Sequence, residues 1–275
     1  LWFMQSRVAN AIGAISTGGS ITDYPLGAFY NPGAIAPGVD GNMWLLLESP
    51  HDDLIGKITT AGAFSTVPLS NGVKYQESPP KMVRGGDGNL WFRNRASIVR
   101  VTMTGTTTVF DTSQTGGNLQ GDIAVGADGN VWYGDGNGAT EYVASITTSG
   151  TTGMVTKYAL PSGASGGYVR LGRGPDGNIW FVNDPFKVGK ITPTGTITQF
   201  SLTSTDLSYP GPIGPGPDGN VWFGASQSKL AAMAPGNGTI VKEVQVACAI
   251  DSLEVENANL WFTELGCDLI GKYKP

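Results

Sequence analysis

The sequence is short of the residues that most acid–base and metal chemistry uses. It has one histidine and two cysteines in 275 residues, which leaves little material for a metal centre or a thiol nucleophile. Charged residues make up 14% of the chain, well below the usual quarter, and the formal net charge is −5. No basic stripe is visible, so the electrostatic footprint of a nucleic-acid binder is missing and no nucleic-acid partner is expected. No apolar run approaches the roughly 20 residues of a membrane-spanning helix, so no membrane span is expected. A signal peptide is not evident either, although the chain opens inside a repeat and so leaves room for upstream sequence.

What the sequence has instead is glycine, 41 residues of it, and a repeat. "GVDGNMWL" (38 to 45), "GGDGNLWF" (85 to 92), "GADGNVWY" (126 to 133), "GPDGNIWF" (174 to 181) and "GPDGNVWF" (216 to 223) are copies of one phrase, and "VENANLWF" (255 to 262) is a degenerate one. All seven tryptophans fall on one register, Trp2, Trp44, Trp91, Trp132, Trp180, Trp222 and Trp261, at spacings of 39 to 48 residues. A period in that range marks a propeller or another repeat array. Nothing interrupts it, so a single domain over 1–275 is expected.

Residues 168 to 202 show what one period contains. "YVRLGRGP" reads as a short strand and "DGN" as a tight turn, because Gly and Asn tolerate positive φ. "IWFVN" is an apolar strand, "KVGKITPTG" a third strand ending in a Gly turn, and "TITQFSL" a fourth with alternating character. Four strands per repeat and no helical periodicity predict an all-β chain, a seven-bladed β-propeller of four-stranded antiparallel blades. On this reading Asp-Gly-Asn closes the first hairpin, and the Trp packs between blades, where one ring can bury about 150–250 Å². The competing reading, Asp as a repeated calcium ligand, offers one acid per loop where calcium wants several converging oxygens.

The first and last blades are expected to be incomplete. The chain starts at a second strand, "LWF", and its last repeat stops after the third, "LIGKYKP". Three explanations stand side by side: a longer parent chain, a ring closed by two thin blades, or edges capped by a strand of a neighbouring chain, since an unpaired edge is a template for pairing.

"GPDGNIWFVN…KVGKITPTGTITQFSL" and "NLWFTELGCDLIGKYKP" resemble the streptogramin lyase (virginiamycin B lyase-like) propellers, and the resemblance runs the length of the chain. It implies a seven-bladed propeller. It also implies a lyase that opens a cyclic depsipeptide with magnesium, histidines and glutamates at the top of the central channel. The matching positions here carry other residues. The Pro-His-x-Ile stretch reads Pro210-Gly211-Pro212-Ile213, so its histidine is Gly211. The Glu-Pro-His-Gly-Ile stretch reads Val246-Ala247-Cys248-Ala249-Ile250, so its glutamate is Val246 and its histidine Cys248. Glu264 lies near the position of a further glutamate. Elimination needs a base at the carbon acid and a group to stabilise the enolate, and Gly, Val and Cys supply neither. No catalytic residue is therefore assigned.

Three further candidates remain. Glu48, His51, Asp52 and Asp53 form the densest polar cluster, either a metal site or a solvated loop. Cys248 begins a first strand and Cys267 follows the adjacent second strand, places that lie close in an antiparallel hairpin. They read as a disulfide, which would favour an oxidising compartment, or as two buried thiols. At the channel mouth the repeat register places Lys81, Asp122 and Arg170 at first-strand starts. It places Gln5, Asn94, Asp135, Asn183 and Glu264 three residues past a Trp. These eight are the candidate ligand-binding set, weighed against a solvated rim.

The expectation is thus a secreted or cell-surface propeller without catalytic activity. It would bind a protein, peptide or glycan, or serve in an extracellular assembly, with no cofactor and with strand-edge pairing to a neighbouring chain as one route. Asn237-Gly238-Thr239 is a glycosylation-type triplet that fits such a location. The alternative is a diverged lyase or hydrolase at the channel mouth, with magnesium as cofactor in the lyase case.

Overall fold

The structure is a computed structural model. It describes residues 1–5, 10–27, 30–48, 54–70, 81–94, 97–112, 121–136, 140–149, 153–161, 168–183, 187–202 and 211–275. His51, Asp52 and Asp53 lie outside the described residues, as does the side chain of Glu48, so the polar cluster read there has no structural account.

The described residues form strands and turns, arranged as seven antiparallel sheets. Two compact units share them. The first, Leu1–Leu119 with Thr147–Gly153, holds three sheets. These are β1 (Trp2–Gln5), β2 (Ala11–Ile15) and β3 (Ile21–Pro25); then β4 (Asn31–Pro37), β5 (Met43–Glu48), β6 (Leu54–Ile58) and β7 (Phe64–Pro68); then β8 (Met82–Arg84), β9 (Leu90–Asn94), β10 (Ser97–Val101) and β11 (Thr107–Asp111).

The second unit, Gln120–Ile146 with Met154–Pro275, holds four. They are β12 (Ile123–Val125), β13 (Val131–Gly136), β14 (Glu141–Ile146) and β15 (Val155–Ala159); β16 (Arg170–Arg173), β17 (Ile179–Asn183), β18 (Lys187–Ile191) and β19 (Ile197–Ser201); β20 (Ile213–Pro215), β21 (Val221–Ser226), β22 (Lys229–Met233) and β23 (Ile240–Gln245); and β24 (Ala249–Glu256), β25 (Asn259–Leu265) and β26 (Leu269–Tyr273). Each sheet pairs its strands in sequence order. This is the seven-bladed β-propeller fold, with three-stranded first and last sheets, as the repeat phase requires. No helix of the described residues is long and apolar enough to cross a membrane.

The repeated phrase has a complete physical account. In the β16–β17 hairpin, Asp176 Oδ1 accepts the Asn178 backbone N–H at 3.2 Å and the Trp180 indole N–H at 2.9 Å, while Oδ2 accepts Asn178 Nδ2 at 2.8 Å. Asp40, Asp87, Asp128 and Asp218 do the same for Trp44, Trp91, Trp132 and Trp222. The indole edge is then satisfied although the ring is buried, which removes the penalty of an orphaned donor. Gly177 supplies the positive φ, +80°, that the turn needs. The glycine two residues before each Asp has another reason to be glycine: a Cβ on Gly174 would stand 2.2 Å from Trp180 Cδ1.

Burial of the charge opposes ionisation of Asp40, Asp176 and Asp218. The hydrogen bonds from the indole and from Asn outweigh it and hold all three carboxyls below the ordinary Asp value. The Asp therefore does more than close a hairpin, and it is not free to bind calcium.

The rest of the repeat packs around the same ring. Trp91, Trp132 and Trp180 stack on Phe110, Tyr158 and Phe200 of the outer strands at centroid distances of 5.2, 5.7 and 5.7 Å. Tyr158 and Phe200 in turn lie against glycines in the next sheet's outer turn. A Cβ on Gly195 would meet the Tyr158 ring at 2.1 Å, and one on Gly238 the Phe200 ring at 2.1 Å. On the other face, the aromatic after the Trp covers a strand-three glycine in three of the sheets: a Cβ on Gly13 would meet Phe3 at 2.1 Å, one on Gly189 would meet Phe181 at 2.3 Å, and one on Gly271 would meet Phe262 at 2.1 Å. Core clusters span adjacent sheets within a unit. One joins Trp132 and Val143 to Leu171, Ile179 and Phe181, and another joins Trp180 and Val182 to Ile213 and Phe223. The tryptophan phrase is thus the adhesive between blades.

Candidate functional site

The eight residues assigned to a channel mouth do not share one environment. In the first unit Gln5 donates from Nε2 to Asp23 Oδ1 at 2.9 Å on an exposed edge, Lys81 is exposed, and Asn94 ends β9 half-buried. In the second unit the polar positions are mostly closed off from solvent: Asp135 is 0%, Asn183 1%, Asp122 5% and Glu264 8% exposed.

The burial follows from strand alternation. The residue three past a Trp points to the face opposite the Trp, the same face as the aromatic that follows it. Asn183 therefore turns toward the preceding sheet, where its Nδ2 donates to Glu141 Oε2 at 3.1 Å. Asp135 pairs with Lys157, whose ammonium also lies 5.0 Å from the Tyr142 ring centroid. Burial first, and then the Asp135 charge, push the pKa of the neighbouring Tyr133 phenol above its ordinary value and so keep it protonated. Glu141 is buried at 3% and was not singled out from the sequence. The repeat register of β14 against β17 is the signal that could have found it.

Asp122, Tyr168 and Arg170 do come together. Asp122 precedes β12, Tyr168 precedes β16, which Arg170 begins, and the two segments meet through the Asp122 N–H donating to Val169 O at 2.9 Å. Asp122 Oδ1 accepts from Tyr168 Oη at 3.3 Å and from Arg170 Nη1 at 3.4 Å. The guanidinium carbon stands 4.7 Å from the Tyr168 ring centroid. A stacked, ion-paired arginine is held in one orientation. The trio offers an aromatic, a planar donor and an acceptor in one place, a set suited to holding a polar ligand rather than to transferring a proton.

The positions matched to the lyase set fall within the second unit. Gly211 has no side chain. Val246 packs on the cluster of Trp222, Leu230 and Ile250. Cys248 is disulfide-bonded to Cys267, with Cα atoms 6.1 Å apart. Glu264 accepts the Cys248 backbone N–H at 2.6 Å through Oε2. Magnesium asks for a near-octahedral set of oxygens, and these four residues provide one carboxylate that already holds a backbone donor. They do not fit the metal. Among the described residues no group of three or more His, Cys, Asp or Glu is placed to hold a metal ion.

Seven sheets, the indole-capped hairpins and the glycine-backed aromatics define a repeat β-propeller. The Virginiamycin B lyase family profile matches residues 1–152 and 122–275, and the chain belongs to that family. It is similar to a virginiamycin B lyase from Staphylococcus aureus, solved as a catalytically inactive variant with quinupristin. The two are 26% identical with a TM-score of 0.81, over 100% of this chain and 90% of that one. A streptogramin B lyase structure shares the fold at 24% identity and TM-score 0.80, over 98% of this chain and 88% of that one. So does a propeller solved with a bound peptide, at 11% identity and TM-score 0.68, over 96% and 88%. No curated protein matches the chain by sequence.

Proposed function

We propose that this chain is a binding propeller without lyase activity, secreted or displayed at a cell surface, whose ligand is a protein, peptide or glycan. The observation that carries the reading is the fate of the three lyase-type positions. One is a glycine, one an alkyl side chain in a core cluster, and one a half-cystine. None can take a proton from carbon or stabilise an enolate. No cofactor enters this reading.

A second support is the Asp122–Tyr168–Arg170 trio, a set of recognition groups on first-strand starts, where blade-to-blade variation lets a repeat scaffold build specificity. Pairing of a partner's strand to the edge of β26 is a further route to assembly. The disulfide fits an oxidising compartment, and the solvent-exposed Asn237 of the Asn237-Gly238-Thr239 turn fits the same location.

The test is direct. Purified protein is incubated with magnesium and a streptogramin B, and the ring is followed by mass spectrometry over hours. The ring is expected to stay closed. Clear ring opening would overturn the reading and restore the diverged-lyase alternative.

A further inference from the structure

At Gly211 the matter goes past a missing side chain. The Gly211 N–H donates to Gly224 O at 3.2 Å, and the Gly224 N–H donates to Pro212 O at 3.0 Å. A Cβ on Gly211 would stand 2.6 Å from Gly224 Cα, 2.7 Å from its O and 3.0 Å from its C. These are backbone atoms of the adjoining strand, not the movable tip of a side chain. The same clasp recurs two blades earlier, where a Cβ on Gly121 would meet Val169 O at 2.5 Å and Gly134 Cα at 2.9 Å. Glycine at these first-strand starts is set by main-chain contact. No side chain, histidine included, enters position 211 unless the segment ahead of β20 parts from β21.

The last sheet has an equivalent commitment. Cys248 is tied to Cys267 at one end and its N–H is held by Glu264 at the other. Two residues earlier, the Val246 N–H donates to Ser228 O at 2.9 Å, joining this segment to the neighbouring sheet. We infer that the positions used for chemistry in a lyase form a structural brace here. Its parts are the Gly211–Gly224 clasp and the Cys248–Cys267 link. Glu264 caps the Cys248 backbone, and restoring side chains does not turn the brace into a magnesium site. The inference deepens the non-catalytic reading and rests on it for the role given to Glu264.

Thermal unfolding of the full chain tests the brace without reference to activity. Gly211→Ala forces a methyl onto backbone, an overpacking that should lower Tm by about 3–10 °C. Gly214→Ala is the control in the same segment, because nothing lies within 4 Å of its Cβ position, and its Tm should move by no more than about 2 °C. Glu264→Ala leaves the Cys248 N–H unpaired and should lower Tm by about 3–6 °C. That loss should shrink by at least about half in a Cys248→Ser, Cys267→Ser background, where the segment it caps is no longer pinned.

Gly211→His combined with Val246→Glu and Cys248→His should show no magnesium binding by titration calorimetry. Should Gly211→Ala prove as mild as Gly214→Ala, or Glu264→Ala leave Tm unchanged, the brace is refuted. It is equally refuted if the triple variant stays folded and binds magnesium. Ring opening by the wild type would defeat the functional reading alone and leave the Tm comparisons standing.

Discussion

The Asp–indole bond is the part of this fold whose contribution can be worked most closely, and Asp176→Ala is the cleanest perturbation. The substitution removes the acceptor of Trp180 Nε1 at 2.9 Å, of the Asn178 N–H at 3.2 Å and of Asn178 Nδ2 at 2.8 Å. Asn178 can turn to water. The indole cannot, because Trp180 is 0% exposed. An unsatisfied buried donor costs about 1–3 kcal/mol, and loss of the turn bonds adds about 0.5–1 kcal/mol. The contact of Lys190 Nζ with Asp176 Oδ2 at 3.2 Å is partly solvated and adds little.

The expected total is about 1.5–4 kcal/mol, which for a chain of this size is a fall in Tm of roughly 3–16 °C. Asp176→Asn keeps one oxygen for the indole but turns an amide N–H₂ toward Asn178 and Lys190, so it should fall between wild type and Asp176→Ala. The assay is urea unfolding followed by tryptophan fluorescence, with the m-value checked for constancy. A loss below about 0.5 kcal/mol for Asp176→Ala would refute the claim that the repeated Asp exists to satisfy the buried ring.

Three other outcomes follow from the same geometry. Trp261 is the natural counterexample: Asn257 stands in the Asp position, the turn is one residue shorter with Asn257 and Ala258 at φ 50° and 57°, and Trp261 Nε1 is buried without a hydrogen-bond partner among the described residues. Replacing residues 256–259 by the Gly-Pro-Asp-Gly-Asn loop should stabilise the chain by about 1–2 kcal/mol, read as a rise in urea midpoint, and an unchanged midpoint would count against the indole-satisfaction account. Because the Asp40, Asp176 and Asp218 carboxyls are held below the ordinary Asp value, their stabilisation is present above that ordinary value. It is lost as pH falls through the lower folded values, so unfolding free energy should decline on acidification below pH 4, less steeply in Asp176→Ala. Reducing Cys248–Cys267, which closes a loop of sequence separation 19, should cost about 3 kcal/mol, and an unaltered Tm under a phosphine reductant would show the link contributes nothing.

Much of the architecture could be read from residue order because the repeat encodes it locally. Asp-Gly-Asn sets a turn through φ alone, the alternation in "TITQFSL" sets a strand, and the phase of "LWF" and "LIGKYKP" foretells three-stranded first and last sheets. Each of these signals acts within a few residues. The motif's full meaning was less legible. That Gly174 is a floor for the Trp180 ring, and Gly195 a seat for Tyr158, depends on atoms brought together from other strands or the adjoining sheet.

The site divides along the same line. By itself the sequence determined that no histidine or glutamate stands at Gly211, Val246 or Cys248, since identity at a motif position needs no coordinates. Only the tertiary structure decided that Asn183 faces a neighbouring sheet and that Asp135 is covered beside Lys157 of its own sheet instead of meeting solvent, because strand alternation fixes a side chain's face while packing fixes what covers it. Tertiary contact also decided that Asp122, Tyr168 and Arg170 converge across residues 46 to 48 apart. And it made Gly211 a point of backbone contact, which a linear reading sees only as the absence of a side chain.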